Sequence, residues 1–551
     1  MKQAIRAGQV AIIGSWILLA ASIAWGQPLW ELAKTNRDAL TISTLFSAQD
    51  VRDHLSSEAG IDQAIGWCKD TGVTHAFVES FRDRYTAGRT ALEHARKRLT
   101  EAGIEVSGCV TPTGVGKKST GWNAISCYTD EPTQKRVQEI FEYAASLSDE
   151  IMIDDFWFTD CECDECKKAR GDQPWPQYHC DLMVKVSRER ILKPARAVNP
   201  KVRIIIKYPQ WYDQFHNRGY EVVQETADFD RIWVGTETRD YADKRWGGDV
   251  QYKGYYLMRW LGEIGGAKCG GGWFDPYGTH EATYVEQARQ TVLADAREML
   301  LFCYGSLLHV RGPANVEKLR TEIPNLFKLA AMVRDKPLKG IAAPKPPSSD
   351  AFDEQYVYDF VGMLGLPLVP TANIRADAKA AFLPVHAMKD PQWNEKLAAM
   401  LKAGTPVLIT DGLAAKLPPE LANDKNLLTL KVGGKPNSLL DLSREDLKPI
   451  RDKLLAPFGI RFDAPNKVAL YLIGDDCIAI ENFNDEPITA TLEFAQSVSP
   501  TKLLVLPTDG QADFSCLAGR ISFTEITPRT LVVLSVLNLR QSADSSQIGP
   551  N

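Results

Sequence analysis

Histidine is scarce in this chain, with eight in 551 residues, and no H-E-x-x-H pair is present to hold a catalytic zinc. A G-x-S-x-G nucleophile elbow is absent. So are a P-loop and a glycine-rich dinucleotide fingerprint at a strand-to-helix turn. The nearest approach to a P-loop, GVGKKSTG at residues 114–121, lacks the required spacing and reads as a solvated loop. Histidine-based metallohydrolysis, serine hydrolysis, P-loop chemistry and dinucleotide redox chemistry therefore have no motif. The net charge is −6 with no long basic run, which argues against a nucleic-acid partner, because phosphate binding needs clustered Lys and Arg. No internal repeat occurs at solenoid or propeller spacing.

Apolar runs of membrane-spanning length are also missing beyond the N-terminus. There, Lys2 and Arg6 precede an apolar stretch at residues 10–23 and the small-residue sequence Ala24-Trp25-Gly26. This pattern predicts a signal peptide over 1–26, with Gln27 as the mature start. The mature protein is expected to be exported, periplasmic or secreted, and free of the membrane. The composition, 44% hydrophobic and 24% charged, is that of a globular protein, and the length exceeds what one core can organise. Thirteen Trp and seventeen Tyr supply flat faces that suit sugar rings, although most such residues belong to cores.

From residue 39 to about 335, strand-like runs alternate with helical ones. The strands are expected at 40–46, 74–80, 105–111, 150–156, 202–208, 231–236, 269–274 and 300–304. Eight strands alternating with helices predict a (β/α)8 barrel over 27–340. The helix at 251–265 is the weakest unit. GIAAPKPPSSD, residues 340–350, reads as a linker. Short α/β units follow and predict a smaller doubly wound domain over 341–458. Short strands then predict a β-sandwich over 459–540, and 541–551 reads as a disordered tail.

Barrel chemistry sits at the C-terminal ends of the strands. Those ends carry Glu79 and Arg82, Asp154 and Asp155, Lys207 with Trp211 and Tyr212, Glu237 and Arg239, and Trp273 with Asp275. Glycoside hydrolysis needs two carboxyl groups flanking one bond. Asp155 is the expected acid/base, and Asp154 its orienter or an alternative nucleophile. Neighbours on a regular strand face opposite ways, so both reach the cleft only if the strand ends there. Glu237 is the preferred second carboxylate, with Gly235 and Thr236 leaving room for a ligand, and Asp275 is a further candidate. Glu79, Arg82, Lys207 and Arg239 either bind substrate hydroxyls or pair with these acids. Trp211, Tyr212 and Trp273 are sugar platforms or core.

Cysteine is unevenly used. Of eleven, Cys68, Cys109, Cys269, Cys303, Cys477 and Cys516 read as buried free thiols, whereas Cys161-x-Cys163-x-x-Cys166 crowds three into one polar loop. Three thiolates at this spacing can share a zinc ion whose fourth ligand comes from elsewhere. Cys127 is the preferred fourth ligand, with Cys180 and His179 as rivals. One disulfide plus a free thiol is the alternative.

The barrel, the acid pair ending strand four and the cysteines just beyond it resemble the glycoside hydrolase family 42 β-galactosidases and their relatives. The resemblance implies a structural zinc on Cys127, Cys161, Cys163 and Cys166. It also implies an amidotransferase-like second domain, a small third β-domain and a possible homo-oligomer. That family has Asn-Glu where this chain has Asp154-Asp155, and a nucleophilic Glu where this chain has Asp275. These departures imply a distant relative rather than a β-galactosidase. The expected function is an exported hydrolase of oligo- or polysaccharides. A non-catalytic carbohydrate-binding protein on the same scaffold is the alternative.

Overall fold

A computed structural model describes residues 28–245 and 248–537. The segment expected to direct export and the tail at 541–551 lie outside the described residues. Eight parallel strands close a barrel: β1 (Thr41–Phe46), β2 (His75–Arg82), β3 (Glu105–Val110), β4 (Glu150–Ile153), β5 (Arg203–Tyr208), β6 (Arg231–Gly235), β7 (Cys269–Phe274) and β8 (Glu298–Leu301). Neighbours in sequence pair in parallel throughout, and β1 pairs with both β2 and β8, which closes the ring. Helices follow the strands on the outside. The weak sixth unit is a full helix, Tyr252–Gly265, whose aromatic face is buried. The eighth strand ends earlier than its apolar run, because Tyr304–Leu307 turns into a short helix.

The period of two along each strand sorts the barrel. Phe77, Cys109, Met152, Ile205, Trp233 and Trp273 form a buried interior cluster. Ile151, Ile153, Ile204, Ile206 and Val234 belong to the larger core that packs the helices. Two residues beyond the interior layer lie Glu79, Thr111, Asp154, Lys207 and Asp275, all buried. A hydrophobic plug thus carries a polar layer on top of it.

The segment expected to be a linker is instead a buried strand, β9 (Ile341–Pro344). With β10 (Leu368–Thr371), β11 (Ala381–Leu383), β12 (Val407–Thr410) and β13 (Leu427–Leu430) it forms a five-stranded parallel sheet in the order β10-β9-β11-β12-β13. Its Ala and Pro content hid an interior position where small side chains suit close packing. Beyond residue 459 lie two antiparallel sheets. Leu338–Lys339, just after the barrel, pairs with Val468–Ile473 and so ties the third unit back to the first. Cys516 is exposed, against expectation, because its strand Ala512–Leu517 lies at a sheet edge. Among the described residues, no helix is long and apolar enough to cross a membrane.

Candidate active site

Lys207, at the inward-facing end of β5, is fully buried and organises the polar layer. Its ammonium lies 2.9 Å from Asp155 Oδ2, 3.3 Å from Glu237 Oε1 and 3.7 Å from Asp154 Oδ1. Because two carboxylates touch one ammonium, the nearest oxygens of Asp155 and Glu237 lie no more than about 6 Å apart, close enough to flank one glycosidic bond. The strand ends at Ile153, so the chain is free to turn and bring both Asp154 and Asp155 to Lys207. Tyr220 Oη fixes this turn by donating to the Asp155 carbonyl at 2.8 Å.

Asp154 is the more firmly held of the two adjacent acids. It accepts from Arg82 Nη2 at 2.8 Å, Thr111 Oγ1 at 3.0 Å and the Asp155 amide at 2.8 Å. Arg82 also holds Glu79 at 2.8 and 3.1 Å, and Glu79 accepts from Thr111 and from the Ala48 amide. Asp275 is occupied by Arg239, which donates from Nε at 3.0 Å and Nη2 at 2.6 Å. Gln287 braces that pair through the Asp275 carbonyl and the Arg239 amide, each at 3.0 Å. Asp275, the further candidate, is therefore one half of a bidentate clamp. Glu237 Oε2, by contrast, is buried without a hydrogen-bond partner.

Charge separates the roles further. Five carboxyls (Glu79, Asp154, Asp155, Glu237, Asp275) share three cations, Arg82, Lys207 and Arg239. Such an excess of buried negative charge favours a retained proton. Burial pushes the Asp155 carboxyl well above the usual carboxylate range. Lys207 opposes the push, and Asp154 and Glu237 add to it. Burial also raises Glu237, again against Lys207. Asp154 is held below its ordinary value, because Lys207 and Arg82 outweigh burial. Burial works against the charge on Lys207, but the three acids more than offset it and keep the ammonium protonated.

The aromatic residues divide. Trp273 is a buried floor, its ring 4.0 Å beneath the Lys207 ammonium and stacked on Phe302. Tyr212 does not reach the acids. It is buried against the second domain, where its hydroxyl donates to Asp359 at 2.8 Å. Trp211 packs against Phe158 and Tyr220, beside the loop that follows Asp155. The expected room for a ligand at the glycines is filled by protein. A Cβ on Gly235 would fall 2.6 Å from Glu237 Oε2, and one on Gly271 would fall 2.9 Å from the Trp233 ring. Thr111, Tyr220 and Gln287 went unread in the sequence. Only Thr111 could have been found, as the residue at the end of the expected third strand, 105–111.

Cys127, Cys161, Cys163 and Cys166 converge, all four sulfurs lying within 4.8 Å of one another. Cys127 Sγ is 3.5 Å from Cys166 Sγ and 3.8 Å from Cys163 Sγ, and Cys163 and Cys166 are 3.6 Å apart. A disulfide needs about 2.05 Å. Zn–S bonds of about 2.3 Å place tetrahedral thiolates about 3.8 Å apart, so this donor set fits zinc. The rivals lie elsewhere: His179 meets the Asn217 carbonyl, and Cys180 the His216 carbonyl.

A family model described as "Probable glycosyl hydrolase, catalytic domain" matches residues 27–356. The uncharacterized protein SSO3021 of Saccharolobus solfataricus is 25% identical over 414 residues, which covers 68% of this chain and 67% of that protein. Among solved structures, the exo-β-1,4-mannosidase Op5Man5 from Opitutaceae bacterium strain TAV5 is similar at a TM-score of 0.43 and 11% identity, over 67% of this chain and 76% of the other. The GH5_18 protein of Bifidobacterium longum subsp. longum is similar at a TM-score of 0.36 and 13% identity, over 71% and 96%.

Proposed function

Since the chain belongs to the family of probable glycosyl hydrolase catalytic domains, we propose that it hydrolyses an oligo- or polysaccharide with Asp155 and Glu237 as the working carboxyl pair. One observation carries this reading: two acids from different strands touch one buried ammonium, and burial raises both, Asp155 well above the usual carboxylate range. Asp155 gives its proton to the glycosidic oxygen as the C1–O bond breaks. The Glu237 carboxylate attacks C1 and forms a glycosyl ester. Asp155, now a carboxylate, takes a proton from water as that water displaces Glu237. Carboxyls that share one ammonium are compatible with the close spacing, about 5–5.5 Å, of a retaining pair, so retention of configuration is the expected outcome. Lys207 holds both carboxyls in place, Asp154 orients the turn, and the Arg239–Asp275 clamp flanks Glu237.

We assign zinc to the four cysteines as a structural clasp. With four protein thiolates it has no open position and takes no part in the reaction. The clasp and the acid pair beyond β4 support kinship with family 42, while the Asp-Asp sequence argues against its β-galactosidase specificity. The N-terminal charge and hydropathy pattern supports export, which N-terminal sequencing of the secreted protein tests by finding Gln27.

The functional test is hydrolysis of a panel of aryl glycosides and polysaccharides by the purified protein. Wild type turns over at least one of them, and Asp155→Asn and Glu237→Gln each lose on the order of 10³-fold in kcat while still binding sugar. Sugar binding without turnover by wild type would favour the carbohydrate-binding alternative.

A further inference from the structure

Trp122 is the one exposed tryptophan among the described residues, 47% exposed, and nothing in the proposed chemistry uses it. It lies on the loop between β3 and Cys127, directly after the stretch at 114–121 that reads as solvated from sequence. Its ring packs 5.5 Å from Phe156 and stacks on Phe158 at 6.2 Å and 22°. Phe156 directly follows Asp155. Phe158 in turn meets Trp211 edge-on, with the Arg218 guanidinium over both rings.

The loop is held rather than loose. Asp160 accepts from the Trp122 amide at 2.8 Å and from Ser119 Oγ at 2.5 Å. Ser119 Oγ in turn accepts from the Gly121 amide at 3.0 Å. A Cβ on Gly121 would fall 2.4 Å from Asp160 Cγ, so only glycine allows the clasp to close. Thr120 Oγ1 accepts from the Glu162 amide at 2.7 Å, which joins the loop to the cysteine segment. An indole presented to water on a braced loop has already met the ordering cost of binding. Its flat apolar face matches the C–H face of a pyranose ring, and the charged Arg218 and Asp160 nearby match ring hydroxyls.

We propose that Trp122 is the platform of a sugar-binding subsite for the leaving-group residue of the substrate. The assignment rests on the Asp155–Glu237 reading. Asp155 protonates the departing oxygen, so the aromatic surface running outward from Phe156 is where the departing sugar lies. Its occupant is a neutral pyranose, and the polymer contributes this sugar rather than the one that reacts at C1.

The test compares gluco-, manno-, galacto- and xylo-oligosaccharides with the glycosyl fluorides of the same sugars, whose leaving group carries no ring. Calorimetry also measures oligosaccharide binding to Glu237→Gln protein, with and without Trp122→Ala. The expected result is that Trp122→Ala lowers kcat/KM for oligosaccharides at least tenfold more than for the fluorides and weakens oligosaccharide binding about tenfold, while Trp122→Phe recovers most of both. Equal losses on the two substrate types, or unchanged oligosaccharide binding, would overturn the platform. If wild type hydrolyses neither substrate but Trp122→Ala still weakens binding, the platform stands and the hydrolase reading falls.

Discussion

Asp154 and Asp155 are neighbours with the same side chain, yet their surroundings drive them in opposite directions. Asp154 faces two cations, Lys207 and Arg82, whereas Asp155 has one and shares it with Glu237. Lys207 is therefore the residue whose loss is most informative. It lowers the pKa of both Asp155 and Glu237, so Lys207→Met raises both. The acidic limb of the kcat/KM–pH profile, set by ionisation of Glu237, should move up. The basic limb, set by loss of the Asp155 proton, should move up as well. A profile shifted down, or unmoved, counts against the assignment. At this scale the sequence was partly legible. The period of two marked Asp154, Lys207 and Glu237 as inward positions, and the end of the strand at Ile153 lets Asp155 join them. The sequence left the partners of Tyr212 and Asp275 open, because which group claims a side chain depends on residues far away in the chain, namely Asp359 and Arg239.

At the scale of elements, eight strands were readable because parallel barrel strands are buried on both faces and appear as short apolar runs. β9 was not, since Ala and Pro in a short run imitate a linker. The convergence of Cys161, Cys163 and Cys166 with Cys127 was readable, because the first three share one short loop and Cys127 lies on the loop of the preceding strand. Elemental analysis of the purified protein is expected to give one zinc per chain. Cys161→Ser is expected to lose that zinc and to lower the midpoint of thermal unfolding by several degrees, as a loss of about 1–2 kcal/mol would. Two disulfide-bonded cysteines with no metal would refute the clasp. The helix Glu131–Ala145 begins just after this loop and is capped by Asp130, whose Oδ2 accepts from the Thr133 amide at 2.9 Å.

Over the whole molecule, the segment after β5 serves two partners. Lys207 points into the barrel, and six residues later Asp213 is buried against the second domain. There it accepts from His386 Nε2 at 3.0 Å and the Tyr356 amide at 2.7 Å, with Lys345 Nζ at 3.2 Å. Burial works against the charge on Asp213, but His386 and Lys345 outweigh it and hold the carboxyl low. Asp213→Ala strands a buried ammonium and is expected to cost about 3 kcal/mol, read as a lower denaturation midpoint. A loss below 1 kcal/mol would show that the second domain does not depend on this contact. No short motif announced the contact, because its members are spread from residue 213 to residue 386.

The central claim is that Asp155 delivers the proton to the leaving group. The most direct measurement is kcat/KM of wild type and Asp155→Ala on aryl glycosides of one sugar, with phenols of graded acidity. The account predicts a variant nearly as fast as wild type on the most acidic phenol and progressively slower as the phenol becomes less acidic, by about 10²–10⁴-fold at the far end. A loss of the same size across the series would contradict it.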